Sequence, residues 1–348
     1  RDPAGDLGGL DVKCRVCREP AIIDIRRHNA NFCSDHFLRL VRDQTTKAID
    51  EFQMIRPGER VLVAVSGGKD SLALWDVLNE LGYEADGFYI GLGIGGYSDR
   101  SGEMTRAFAA DRGLTLHEVD LRAEYDTDVP TAAKATRRVP CSACGMSKRH
   151  LFDQAALDGG YDAVATGHNL DDEAAVLFGN TLRWQTEYLA RQLPVLPARP
   201  GFPRKIKPLV RLGEREMAAY CVLRGIDYIV EECPMAVGNK HLGYKAALNE
   251  IEVGSPGAGV AAPSVPVGVF CAAGPGVSHS IAVEASSAGD CDEEDSGASS
   301  SRITRQPGLR FSNSRAADLL TEVFARLSPS SRGRPASVAS PASVTDVS

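Results

Sequence analysis

The stretch Arg60–Ser71, RVLVAVSGGKDS, decides the fold. Arg60 to Val65 is a short run of Val, Leu and Ala, the composition of a strand buried on both faces. Gly67 and Gly68 then turn the chain, and their missing Cβ atoms let the backbone approach a ligand closely. From Asp70 to Leu81 the apolar residues recur at helical spacing, so a helix follows. Strand, glycine turn and helix start make an anion cradle, because loop N–H groups and the positive helix end favour phosphate oxygens. The loop lacks the four intervening residues of the Walker pattern. Ser66 and Ser71 add hydroxyls and Lys69 adds a cation. Asp70 would repel a phosphate unless a cation stood between them, so Mg²⁺ is implied. A glycine turn that merely closes a strand–helix unit is the plainer reading. The order Ser, Lys, Asp, Ser after an apolar strand favours a nucleotide site.

Outward from this unit, strands alternate with helices. Strands are expected at Ala85–Ile90, Leu114–Val119, Tyr161–Thr166 and Asp227–Glu231. Helices are expected at Gly102–Arg112, Cys144–Leu157, Asp171–Leu189, Glu214–Arg224 and Lys240–Glu252. Such alternation predicts an α/β protein with a doubly wound parallel sheet. Four zones result: a Cys/His module at 11–37, a linking helix at 38–58 stopped by Pro57-Gly58, the phosphate-loop domain at 59–253, and a tail at 254–348. The tail is rich in Ser, Ala, Gly, Pro and Val and has no lysine. That composition predicts disorder, with one amphipathic stretch at Ala316–Leu327.

The whole chain has 348 residues, 43% hydrophobic and 24% charged, within the globular range. A net charge of -7 excludes a basic nucleic-acid coat, so any RNA contact must come from local patches. Lys134, Arg137, Arg138, Lys148, Arg149 and His150 form one basic stretch, and Arg204, Lys205, Lys207, Arg211 and Arg215 another. No apolar run approaches the roughly 20 residues of a membrane helix, and the start carries no apolar signal core. These features predict a cytoplasmic protein, and a first residue of Arg reads as a fragment or a trimmed start.

Nine cysteines in such a chain point to metal or catalysis rather than disulfides. Cys14-x₂-Cys17 and Cys33-x₂-His36 can close a tetrahedron around Zn²⁺, a structural role since no position stays open. His28 competes as a ligand, and unbound thiols on a mobile arm are the alternative. Cys141-Ser-Ala-Cys144 pairs with Cys233-Pro234 far along the chain. Three thiolates suit a [4Fe–4S] cluster with one iron left open, but also zinc with a fourth ligand, or a redox disulfide that passes a persulfide. Cys233 follows a predicted strand, which puts it on the carboxyl rim where doubly wound sheets bind ligands. Between these lies Thr166-Gly167-His168-Asn169-Leu170-Asp171-Asp172, a strand end, turn and helix start. Gly167 permits a close approach to a ligand. Asp171 and Asp172 suit either a helix cap or a site carboxylate.

The order CxxC, CxxH, SGGKDS, PCSxCG, TGHNxDD and CP resembles the PP-loop ATP pyrophosphatases. Within that group it resembles the tRNA 2-thiolation branch, the TtuA-type tRNA-5-methyluridine 2-sulfurtransferases and their wobble-uridine relatives. The resemblance covers about residues 12 to 252. It implies ATP-dependent adenylation of a uridine 2-oxygen followed by sulfur transfer. The nucleotide site would then comprise Ser66 to Ser71, Lys148, Gly167 and His168. The implied catalytic residues are Asp70, Lys148, Asp171 and Asp172, with Asp172 the favoured carboxylate. Cys141, Cys144 and Cys233 would hold a [4Fe–4S] cluster. Implied partners are tRNA, a thiocarboxylated ubiquitin-like sulfur carrier and a second copy of the chain. Other PP-loop adenylating enzymes, of the amidotransferase or lysidine-synthetase type, need the loop but not three thiolates. A non-catalytic zinc-dependent RNA-binding adaptor needs neither. The family commonly ends in a second zinc module of four cysteines, whereas here only Cys271 and Cys291 remain. The module is either lost, or replaced by a frame-shifted end.

Overall fold

The computed structural model describes residues 12–137, 139–236 and 240–255. The expected tail beyond Ser255, with Cys271, Cys291 and the Ala316–Leu327 stretch, lies outside the described residues, as does Arg138. A small antiparallel hairpin comes first, β1 (Ile23–Ile25) against β2 (Ala30–Phe32). Helix α1 (Ser34–Glu51) buries Phe37, Val41, Thr45, Ala48 and Ile49, an apolar stripe at three- and four-residue spacing. The elements β3 (Arg60–Val65), α2 (Lys69–Glu80), β4 (Glu84–Gly91), α3 (Gly95–Arg112) and β5 (Leu116–Asp120) then alternate. Next come α4 (Leu121–Tyr125), α5 (Val129–Thr136), α6 (Pro140–Asp158), β6 (Ala163–Thr166), α7 (Leu170–Leu182) and α8 (Thr186–Leu189). The last are β7 (Val195–Leu196), β8 (Arg204–Ile206), α9 (Glu214–Leu223) and α10 (Lys240–Gly254).

One six-stranded sheet runs β5-β4-β3-β6-β8-β7, parallel except for β7. Strand β3 is central, and its alternation serves two cores. Val61, Val63 and Val65 pack with residues of α1, α2 and α9. Leu62 packs on the other face with Phe88, Leu151 and Val164. Helices therefore cover both faces, which is why β3 reads as an unbroken apolar run. From β3 the chain goes to β4 on one side, and it later returns to β6 on the other. This reversal makes a crevice at the carboxyl ends of β3 and β6, where doubly wound sheets take ligands. The expected doubly wound parallel sheet is thus present. No described helix is long and apolar enough to cross a membrane.

Three local expectations need correction. Asp227–Glu231 is not a strand, because the sheet position beside β6 is filled by β8. The segment instead crosses the end of β3, and the Ile229 N–H donates to the Gly67 carbonyl at 2.9 Å. The single helix expected over Asp171–Leu189 breaks at Trp184, whose φ is +51°. There the Trp184 and Gln185 N–H groups turn back to Thr181 and Asn180 carbonyls, a helix stop usually carried by glycine. Helix α6 starts at Pro140, so Cys141 and Cys144 stand within its first turns rather than ahead of it.

Candidate active site

The phosphate loop is held by its own hydroxyls. The Ser66 N–H donates to Ser71 Oγ at 3.1 Å, and Ser71 Oγ donates to the Gly68 carbonyl at 2.9 Å. Gly67 has φ +72°, and a Cβ on it would lie 2.5 Å from the Ser101 carbonyl oxygen. Only glycine fits there. Gly68 caps α2 with extended backbone, leaving the first-turn N–H groups facing the crevice. The second glycine, Gly167, meets the protein itself. A Cβ there would stand 2.9 Å from Asp70 C and Ser71 N, so it admits the first turn of α2 beside β6.

Around the loop mouth six side chains close a ring. Lys69 Nζ donates to Asp70 Oδ2 at 3.2 Å and to Glu214 Oε1 at 2.8 Å. Asn169 Nδ2 donates to Asp70 Oδ1 at 3.1 Å, and the Asn169 N–H donates to Asp172 Oδ2 at 3.1 Å. Lys245 Nζ completes the circuit, 2.7 Å from Asp172 Oδ1 and 2.9 Å from Glu214 Oε2. Asp171 sits just outside and accepts from the Glu214 N–H at 2.5 Å, capping α9. Asp172 also belongs to the capping box of α7, its N–H donating to Asn169 Oδ1 at 3.1 Å. Both aspartates therefore fill the capping role while still facing the crevice.

The electrostatics follow from this crowding. Burial pushes the Asp70 carboxyl above the usual carboxylate range, and the like charge of Asp172 adds to it despite Lys69 and Asn169. Burial also raises Asp171, aided by the charge of Glu214. Glu214 moves the other way: burial opposes its ionisation, but Lys69 and Lys245 outweigh it. The same carboxylates hold both lysines above their ordinary values against burial. His168 is solvent-exposed yet surrounded by protein, as a residue lining a cleft is. Desolvation and the Lys207 ammonium lower its pKa, and its Nδ1 lies 2.8 Å from Thr166 Oγ1.

The structure brings Cys141 and Cys233 within electrostatic reach of Cys144. All three are free thiols, and Cys141 Sγ donates to the Met235 carbonyl at 3.1 Å. Cys144, Cys233 and Met235 pack on the core built by Phe88, Ile90 and Leu92. Burial raises the Cys144 pKa; Lys148 pulls it down, while Cys233 and Cys141 push it up. Successive thiolates here repel each other, which is a reason for the trio to want a cation. Lys148 is half-buried and forms no ion pair with a described residue. Ile229 is bonded to the loop at Gly67, and Cys233 stands only four positions further along the chain. A chain of that length spans at most about 14 Å, which bounds how far Cys233 lies from the phosphate loop.

The N-terminal set converges more tightly. Ligand atoms of Cys14, Cys17, Cys33 and His36 all lie within 4.8 Å of one another, the one such group among the described residues. Cys17 Sγ is 3.6 Å from Cys33 Sγ, and Cys33 Sγ is 3.1 Å from His36 Nδ1. Burial works against a Cys14 thiolate, but N–H groups of Cys17, Cys33 and Val16 draw its pKa down to about 6. His28 is not in the set; its Nε2 accepts from Arg27 Nε at 3.3 Å. Sequence reasoning missed Asn169, Glu214 and Lys245. The Asn-x₂-Asp spacing of a capping box was there to be read for Asn169. Nothing local marks Lys245, which reaches the site from a helix beyond it.

Architecture and loop together define a PP-loop protein, and residues 41–236 match the family model described as PP-loop domain. Residues 13–38 match the model described as the N-terminal LIM domain of the 2-thiouridine synthetase TtuA. The tRNA-5-methyluridine(54) 2-sulfurtransferase of Thermus thermophilus is 55% identical over 245 residues, 70% of this chain and 76% of that protein. The protein of that name from Pyrococcus horikoshii is 43% identical over 246 residues, 71% of this chain and 79% of that one. The chain belongs to the tRNA-5-methyluridine(54) 2-sulfurtransferase family. Its fold is also that of the U34-tRNA thiolase NcsA from Methanococcus maripaludis, solved with its [4Fe-4S] cluster. There the TM-score is 0.64 at 24% identity, covering 73% of this chain and 85% of that one.

Proposed function

We propose that this chain forms 2-thiouridine in tRNA, activating the uridine 2-oxygen with ATP and replacing it with sulfur. One observation supports it most directly: three free thiols and a phosphate loop share one rim of the sheet, tied by the Ile229–Gly67 bond. Ser66 to Gly68 and the first turn of α2 would hold the triphosphate, with Lys69 close by. A Mg²⁺ at Asp70 would neutralise the charge between carboxylate and phosphates. The uridine oxygen attacks the α-phosphate, and pyrophosphate leaves. No carboxylate among the described residues pairs with Lys148, which supports a role for it toward the phosphates or the thiols. Asp172 faces the same crevice with its carboxylate oriented by the Asn169 N–H.

The donor sets separate the two metals. Around one tetrahedral zinc, sulfurs at about 2.3 Å from the metal stand on the order of 3.8 Å apart. The N-terminal set matches that, with 3.6 Å between Cys17 and Cys33, so Cys14, Cys17, Cys33 and His36 would hold Zn²⁺. Cys141, Cys144 and Cys233 do not converge so closely, which suits a larger [4Fe–4S] cluster with three protein ligands. When bound, such a cluster supplies an open iron for the incoming sulfur. This reading also takes a thiocarboxylated ubiquitin-like protein as donor, a homodimer as working unit and the cytoplasm as location, all on the resemblance. The test is nucleoside mass analysis of tRNA from a strain lacking the gene, complemented with wild type or Cys233→Ala. A 2-thiolated nucleoside should vanish, return with wild type and stay absent with the variant. An unchanged nucleoside profile in the deletion strain rejects the reading.

A further inference from the structure

Lys245 stands on α10, beyond the residues that match the PP-loop domain, yet its ammonium completes the ring at the loop mouth. It bridges Asp172, at the start of α7, and Glu214, at the start of α9. Glu214 in turn shares Lys69 with Asp70. One lysine thus fixes the separation of two helix N-termini that flank the crevice.

Anchoring α10 does not require this. Tyr244 packs in the space where Gly179 has no side chain, and its ring meets Phe178 edge-on with centroids 5.9 Å apart. Partly exposed ion pairs such as these are also a poor source of stability, since solvent screens much of their attraction. The place of Lys245 is better explained by what it orients. Asp172 Oδ2 is held by the Asn169 N–H, and Lys245 holds Oδ1, so both oxygens are fixed. The titratable groups around Asp172 include Lys245 from α10, Asp70 from α2, Glu214 at the start of α9 and His168 on the turn before α7. Among the described residues Lys245 is the one cation within ion-pair distance of Asp172.

We propose that Lys245 is a positioning residue for adenylation, holding the Asp172 and Glu214 carboxylates in register with the phosphate loop. This rests on the function proposed above. Through Lys245, α10 is a working part of the ATP site rather than an appendage to it. Lys245→Met removes the ammonium and keeps the length of the stem. Lys245→Arg keeps the charge.

The experiment measures ATP-dependent 2-thiolation of tRNA by full-length, cluster-loaded protein, with thermal midpoints alongside. Lys245→Met should lower kcat about 100-fold, the size expected when a reacting group is misplaced by an ångström. KM for ATP should stay within about threefold, because positioning acts on the transition state and not on uniform binding. Lys245→Arg should restore kcat to within about tenfold of wild type. A Lys245→Met enzyme as active as wild type overturns the proposal. So does a loss carried by KM, which would make Lys245 a phosphate-binding group, or one that tracks a collapsed thermal midpoint. An inactive wild type overturns the function and this proposal together, whereas an active wild type beside an active variant overturns this one alone.

Discussion

Asp76 lies in α2 with a side chain only 3% exposed, and three donors converge on it. Arg112 Nε and Arg224 Nε donate at 2.8 Å each, and Tyr220 Oη at 2.7 Å. Burial opposes ionisation, yet Arg224, Tyr220 and Arg112 hold the carboxyl below its usual 3.8. A carboxyl depressed on folding stabilises the native state above its unfolded pKa. That stability disappears as pH falls through the folded value. Asp76→Asn should therefore cost about 3 kcal/mol in urea unfolding at pH 7, because it leaves two guanidinium groups facing a neutral amide. The gap between variant and wild type should narrow as pH drops below about 4, where wild type loses the same charge. A gap that stays constant to pH 3 would trace the effect to packing instead. Nothing in the sequence singles out Asp76, since its partners stand 36, 144 and 148 residues away. The phosphate loop was legible because its residues are consecutive.

Between elements, the Cys/His hairpin shares a core with the ATP domain, and a buried ion pair adds a polar tie. Arg27, which follows β1, donates through Nη2 to Glu216 Oε2 at 2.5 Å and to the Arg211 carbonyl at 3.0 Å. The two side chains are 9% and 6% exposed. Glu216 also accepts from the Gly213 N–H at 3.1 Å, so the pair supports the start of α9, where Glu214 joins the ring. Arg27→Met should cost about 3 kcal/mol by stranding a buried carboxylate. Arg27→Met with Glu216→Gln should cost less than Arg27→Met alone, because the amide still accepts from Gly213 without a charge to compensate. Equal or additive losses in a double-mutant cycle would show that the two do not act as a pair. Element types were readable where periodicity or burial was strong, as in β3 and α2. The two- and three-residue strands β7 and β8 carry no pattern that long, and β8 reads Arg-Lys-Ile. Trp184 takes a left-handed stop without the glycine that would have announced it. The Asp227–Glu231 error arose because a run can look like a strand and yet find every sheet position beside it already filled.

At the scale of the whole molecule the net charge of -7 leaves RNA binding to local patches, and the structure separates the two basic stretches. Arg204 pairs with Glu59, Lys205 with Asp153, Lys207 with Glu173 and Arg211 with Glu51. These cations are neutralised internally, and three of the pairs stitch the β8 region to neighbouring elements. Lys134, Arg137 and Arg149 are exposed, flank the cysteine pair and form no ion pair with a described residue. A free cation on the surface contacts phosphate by displacing condensed counterions, so each contact adds about 1 to the slope of log affinity against log salt. Alanine at Lys134, Arg137 and Arg149 should each lower that slope by about 1 for tRNA binding, with little change in unfolding midpoint. Lys205→Ala should do the reverse: it strands Asp153, only 7% exposed, lowers stability by about 3 kcal/mol and leaves the slope as it was. Titrating tRNA at several salt concentrations against all four variants decides it. If the slope falls with Lys205 and not with the three exposed cations, the RNA lies across the β8 edge and not across the mouth of the cysteine site.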